Sequence, residues 1–296
     1  MREWRRWWPF AVLCVAASCE WMLTDRFPRA GSTLGSEAVG CGLGAVGFGV
    51  AAGLRRRVWR TNLWAVAGGA MVICGPVVEL FFGTRVVEPG TLAMALALTA
   101  VVVAVASGSG AGEVNDLWPG LAGVAGLLLV LSPPGFGSLG ADAVMVLAPV
   151  VTGVGCVLFR RGVEAEGVAG CEWAMALGLA GAGLVFGVGA VVRGVVERVW
   201  PVVSGVAVGI DLVLAGLAVI ALARVTALHY SARFVVVPLL ILLQGLVFLG
   251  SAPSWRSVGC AALLGVATWG LVRRQSEGWV GINGGTAAEE TRGAGG

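Results

Sequence analysis

The chain holds 296 residues, 57% of them hydrophobic and 12% charged, where soluble domains run at about 45–50% and about 25%. So few charged side chains cannot clothe so much apolar mass in water, which excludes a soluble fold, and the same composition excludes a disordered chain. The net charge of +3 is too small, and its arginines too scattered, for a nucleic-acid surface.

About 20 mostly apolar residues cross a bilayer core as a helix, and apolar runs of that order recur along the chain. They fall at Trp7–Thr24, Gly35–Leu54, Asn62–Gly83, Gly90–Ser107, Trp118–Leu131, Ala141–Phe159, Cys171–Val192, Val203–Ala223, Phe234–Gly250 and Ser257–Val272. The fifth and tenth are the shortest; they lie beside Pro133-Pro134 and Pro253, and tilt can accommodate them. The first run also has the look of a signal peptide, with Ala16-Ala17-Ser18-Cys19 as a loose lipoprotein cleavage site. The regular series that follows favours a retained first helix. Residues 275–296, rich in Gly, Ala, Thr and Glu, read as a disordered tail.

Ten spans put both ends of the chain on one side of the membrane. Arg26, Arg29, Arg85, Arg193, Arg198 and Arg256 then fall on one face and every other arginine on the opposite one. The positive-inside rule makes the richer face cytoplasmic, both termini included.

No lysine occurs, which removes Schiff-base chemistry and a Walker-type phosphate lysine. The seven cysteines have no C-x-x-C spacing and His229 is the sole histidine, so no metal and no cofactor are expected. No H-E-x-x-H or nucleophile motif supports an enzyme.

Ionisable residues inside spans are expensive and are functional candidates by default. Glu20, Glu79 and Asp211 are of this kind, all in the outer half of their helices by the orientation above. If their faces converge they form a proton-accepting or cation-binding site. The alternative leaves Glu20 and Glu79 at the water interface with Asp211 alone buried. Trp21, beside Glu20, departs from the other tryptophans, which stand mostly at span ends as an aromatic belt. Gln244 suits a cross-helix hydrogen bond better than a substrate contact. His229 and Tyr230 are expected as a cytoplasmic boundary pair. Gly40/Gly44, Gly49/Gly53, Gly183/Gly187 and Gly205/Gly209 stand four apart and fit close helix packing or sliding surfaces.

Sliding the second half over the first by ~139 positions sets Arg224 on Arg85, Gly259 on Gly120 and Gly265 on Gly126, a sign of internal duplication. Phe82–Pro89 running into Leu92–Ala100, then Trp118-Pro119-Gly120 through Leu129, then Gly140 through Arg161, resembles an EamA-type repeat and its junction to a second. Ala221–Ala227, Pro238-Leu239-Leu240, Ser254-Trp255-Arg256, Gly259 and Gly265 repeat it. From about Trp8 to Arg274 the chain resembles the drug/metabolite transporter superfamily. It departs at Thr99-Ala100, where the family usually carries a proline that the ninth helix keeps as Pro238, and at Gly250–Pro253, where a Gly-Glu pair is common.

The resemblance implies an all-α integral membrane fold of ten transmembrane helices in two inverted five-helix repeats, residues 1–136 and 137–274. It implies a non-enzymatic secondary transporter of a small organic metabolite or drug-like compound, working by alternating access, with export and proton coupling as the expected mode. The cavity is expected between helices 1, 3, 4, 6, 8 and 9, with 5 and 10 peripheral. Asp211, Glu79, Glu20, Trp21, Gln244 and Pro238 are the candidates for the substrate or proton path. The expected partners are a small-molecule substrate and the lipid bilayer of the cytoplasmic membrane, with a homodimer admissible and nucleic acid excluded. An integral membrane enzyme or a non-transporting scaffold is the alternative.

Overall fold

The computed structural model describes residues 4–26, 33–55, 62–82, 89–107, 117–131, 139–166, 171–197, 204–248 and 254–271. All regular structure among them is helical. In chain order these are α1 (Trp4–Arg26), α2 (Leu34–Leu54), α3 (Leu63–Cys74), α4 (Glu79–Phe82), α5 (Pro89–Ala97), α6 (Thr99–Ala106), α7 (Trp118–Val130), α8 (Leu139–Glu166), α9 (Cys171–Glu197), α10 (Gly205–Arg224), α11 (Ala227–Ser231) and α12 (Arg233–Phe248). A last helix, α13, spans 255–271. The predicted tail 275–296 and most of the junction near Pro134–Gly140 lie outside the described residues.

Among the described residues, five helical stretches are long and apolar enough to cross a membrane: Leu34–Leu54, Asp142–Ala165, Cys171–Gly194, Gly205–Arg224 and Ala227–Phe248. They answer to the second, sixth, seventh, eighth and ninth predicted runs. The ninth begins seven residues earlier than its run of apolar residues, taking His229, Tyr230 and Arg233 inside. Along α2 the side chains of Leu43, Val46, Val50 and Leu54 are exposed, as are Leu184 and Val188 on α9 and Val247 on α12. An outer surface this apolar suits lipid and not water, and the chain is a helical membrane protein.

Local sequence sets the helix ends. Thr33 and Ser36 form a reciprocal capping box at the start of α2, and the Asn62 side chain accepts from the Trp64 amide at the start of α3, each satisfying an orphan amide. Pro76 has no N–H to continue α3, and the chain passes through a 3-10 turn at Gly75–Val77 before α4. Between α5 and α6 the helix breaks at Leu98, although Thr99 stands where the resemblance implies a proline. In α12, Pro238 is contained within a continuous helix.

The core forms where small residues let backbones meet. α3 packs on α8 and α9, α2 on α9 and α10, α1 on α10 and α12, and α5 and α6 on α8. A Cβ on Gly68 would stand 2.3 Å from the Phe159 backbone nitrogen, and one on Gly155 would stand 2.9 Å from that of Val72. Of the glycine pairs four apart, Gly40 and Gly44 meet α9 and α10, and Gly183 and Gly187 meet α2. Gly53, Gly205 and Gly209 meet nothing among the described residues. The expectation that Gly205 and Gly209 make room for a neighbour is therefore corrected: they face outward.

Candidate functional site

A cavity of about 360 Å³ opens among α1, α2, α3, α4, α5, α10 and α12, within the usual range for small-molecule sites. The wall is mainly apolar, with Leu13 and Ala17 of α1, Val72 and Pro76, Leu92 and Leu96 of α5, Leu214 of α10, and Phe234 and Pro238 of α12 among its members. Among the described residues, four ionisable side chains interrupt it: Glu20, Glu37, Asp211 and Arg233. The breaks at Pro76 and Leu98 lie in two of the wall-forming rods, so the backbone changes direction beside the space it encloses.

The register of the surrounding helices orders these charges along the cavity. The Trp7 ring meets His229 edge-on at 5.3 Å, and the Gln244 amide donates to Ser18 Oγ at 2.9 Å, so α11 and α12 run parallel to α1. The Arg224 guanidinium lies 5.7 Å from the Trp8 ring centre, and Asp211 is close enough to Glu20 for their charges to interact, so α10 runs antiparallel to α1. Gly40 brings α2 against α10 at Asp211, and Glu37 stands on the same face one turn away. Cys41 lies within the field of both Glu37 and Asp211. The three carboxylates therefore share one end of the cavity.

Arg233 occupies the other end. It stands level with the stretch Phe10–Cys14 of α1, and its charge reaches Cys14. From Cys14 to Glu20 is about 9 Å along a helix axis. Its guanidinium carbon is 4.5 Å from the Tyr230 ring centre and 4.3 Å from that of Phe234.

Of the residues singled out in the sequence, Asp211, Glu20 and Pro238 line this cavity. Asp211 is 3% exposed, as expected of an acid deep in a span. Gln244 is absent from the wall and ties α12 to α1 through Ser18 and Cys19, its structural alternative. Glu79 and Trp21 fall in α4 and α1, but their side chains lie outside the described residues. Among the described residues the wall takes nothing from the sixth rod, α8, where a contribution was expected; Glu37 of α2 enters instead. Helices α7 and α13 contribute nothing to the wall among the described residues, matching their expected peripheral place.

Two residues escaped the sequence reading. Glu37 lies near the start of a run read as apolar, where a helix-terminal acid resembles an ordinary dipole-complementing residue. Arg233 was counted with the cytoplasmic arginines, yet it is 8% exposed and faces the cavity. No local pattern signalled it, since His229, Tyr230 and Ser231 beside it read as the edge of the membrane. His229 and Tyr230, expected at a boundary, are likewise buried; His229 Nδ1 meets Thr226 Oγ1, the N-cap of α11.

No protein-family model and no curated protein matches the chain. Among solved structures the chain is similar to one described only as "Crystal structure of protein", with a TM-score of 0.65, 18% identity, and coverage of 90% of this chain and 97% of that one. At that identity the likeness establishes a shared fold.

Proposed function

We propose that the chain is a secondary transporter of a small organic molecule bearing a cationic group, moved across the cytoplasmic membrane by alternating access in exchange for protons. The observation that carries this reading is the cavity itself. It is of metabolite size, walled mainly by apolar side chains, enclosed by helices of a membrane protein, and set with Glu20, Glu37 and Asp211 at one end. Buried carboxylates in a membrane mark ion and proton paths, and an apolar wall with a few polar groups is the usual form of an organic-ligand site.

The architecture belonging to this reading is ten spans in two inverted five-helix halves, of the EamA type in the drug/metabolite transporter superfamily. It pairs α1 with α8, α2 with α9, α3 and α4 with α10, α5 and α6 with α11 and α12, and α7 with α13. Exchanging partners turns the contact of α3 with α8 into that of α10 with α1. The contact of α3 with α9 becomes that of α10 with α2, and α5 with α8 becomes α12 with α1; α2 with α9 maps onto itself. Each of these interfaces is present, which supports the repeat and a rocking of one half against the other.

The deciding experiment is uptake by proteoliposomes that hold the purified protein, screened with labelled organic cations and their neutral analogues under an imposed proton gradient. Saturable uptake of cations that collapses with the gradient is expected. Activity confined to neutral or anionic compounds would remove the acids from the substrate path.

A further inference from the structure

Three weak points of the helices around the cavity meet at one level of α8. Gly75, where α3 gives way to a 3-10 turn, packs so closely on α8 that a Cβ there would stand 2.8 Å from the Thr152 nitrogen. The break between α5 and α6 reaches the next residue: a Cβ on Gly153 would stand 3.4 Å from the Thr99 carbonyl oxygen. α8 itself is weakened just before this turn. Pro149, inside the helix, has no N–H to continue the ladder. Thr152 Oγ1 donates to the Ala148 carbonyl at 2.6 Å, a back-bond that bends helices.

Packing differs on the two sides of this level. On one side α3 and α8 meet backbone to backbone at Gly68, Gly155 and Gly162, which fixes them against each other. On the other, Ala95 of α5 with Val144 and Ala148 of α8 forms a cluster separate from the main core, joined by Val78, Leu92, Leu96 and Met145. α4, α5 and residues 139–148 of α8 therefore share a small core of their own beyond the three weak points. The same group supplies one wall of the cavity through Val77, Leu80, Leu92, Ala93 and Leu96, while α10 and α12 run unbroken beside that space.

α4 is fastened to α9, which contributes nothing to the wall among the described residues. Arg193 Nη1 donates to the Leu80 carbonyl at 2.8 Å, and Phe81 stacks on Phe186 with ring centres 5.9 Å apart. A Cβ on Gly189 would touch both Phe81 and Leu34, so this fastening lies at the start of α2, toward Glu37 and the acid end of the cavity.

From these relations we infer that α4, α5 and residues 139–148 form a hinged lid. It turns on Gly75–Val77, Leu98 and Pro149 and closes the acid end of the cavity when α4 leaves α9. Hinges are a few element-terminal residues that absorb the backbone change. The lid takes α4 and α5 from the first proposed half and the start of α8 from the second, so its movement is distinct from a rocking of one half against the other.

The test is a spin-label distance measurement on the purified protein in lipid, in a cysteine-free background. One pair of labels sits at Asp142→Cys and Val206→Cys, exposed positions on the lid and on α10; a control pair sits at Val50→Cys and Leu63→Cys, exposed positions on α2 and α3. Arg193→Leu with Phe81→Ala unfastens α4. Residues 142–149 make an arm about 10 Å long, and a tilt of about 25° at a proline should shorten the first distance by about 4 Å while the control distance stays, which also shows that the bundle is intact. Adding Pro76→Ala and Pro149→Ala, which let both ladders continue, should return the first distance to its wild-type value. A first distance that stays or lengthens on unfastening, a shift in both pairs, or a shortening that survives the straightened hinges would overturn the lid. No substrate enters the measurement, so its failure leaves the transport reading standing.

Discussion

Gly40 of α2 lies directly against Asp211 of α10: a Cβ at position 40 would stand 3.0 Å from the aspartate Cβ and 3.0 Å from the Leu212 backbone nitrogen. The contact sets how closely Glu37 and Asp211 approach, since both side chains lie within a turn of it. Gly40→Leu should therefore separate α2 from α10 and lower transport at least about tenfold, with overpacking costing about 1–3 kcal/mol of stability. Gly209→Leu, on the open side of α10, is the matched control and should leave uptake near the wild-type rate. Equal effects of the two variants would mean that the contact at Asp211 has no special part in the site.

Asp211 is the most deeply buried of the cavity acids. It faces Glu20 of α1 and lies near Glu37 of α2, with Arg233 of α12 at the far end of the same space. Asp211→Asn keeps the shape and removes the charge. The variant should insert and purify as the wild type does but lose gradient-driven uptake. Unchanged transport rate and pH dependence in the reconstituted variant would make Asp211 a packing residue.

The apolar runs were legible because bilayer thickness imposes a length that composition alone reveals: α2 and α10 fall close to their predicted bounds, while α8 and α9 continue past their predicted ends to Glu166 and Glu197. Asp211 was legible for the same reason, as a charge far inside such a run. Arg233 was not, because a charge near the end of an apolar run reads as the edge of the membrane. Only packing, here the rings of Tyr230 and Phe234, shows that the helix begins before it. Glu37 was hidden by the opposite effect: an acid in the first turn of a helix has a sufficient local explanation, and its place beside Asp211 depends on an approach of α2 to α10 that no local pattern encodes. The outward-facing Gly205 and Gly209 show the same limit, since spacing identifies a face but not what it meets.

Gln244 offers a test of a structural role. Its amide bonds Ser18 Oγ, which in turn donates to the Val15 carbonyl, so the group is a tie between α12 and α1. Interhelical hydrogen bonds in membranes average about 0.6 kcal/mol. Gln244→Leu should therefore lower thermal stability slightly and leave the substrate preference unchanged. A changed preference would place Gln244 in the substrate path after all.

The α3–α8 contact should be the least tolerant interface. Around Gly68 the neighbours of an added Cβ are backbone atoms, Phe159 N at 2.3 Å and Gly155 O at 2.6 Å, which cannot turn aside as a side chain can. Gly68→Ala should cost about 1–3 kcal/mol, seen as a fall in the melting temperature of the purified protein. Gly42→Ala, with open space around it, should cost nothing measurable.

The arginines make the membrane orientation testable. Arg55 at the end of α2 pairs with Glu172 at the start of α9. Arg160 Nη1 donates to the Ala223 carbonyl near the end of α10 at 3.2 Å, and Arg224 lies over Trp8 near the start of α1. These contacts gather one end of the bundle, and the arginines in them all belong to the group that the positive-inside rule assigns to the cytoplasm. Arg193, assigned to the other side, donates at 2.8 Å to the Leu80 carbonyl in α4. In a cysteine-free background, a single cysteine at position 58 should react with an impermeant maleimide only after the membrane is opened. A cysteine at position 195 should react in intact cells. Labelling of residue 58 from outside, or of residue 195 only from inside, would invert or break the ten-span arrangement. The carboxylates near Asp211 would then stand at the cytoplasmic end of the cavity and Arg233 at the outer end.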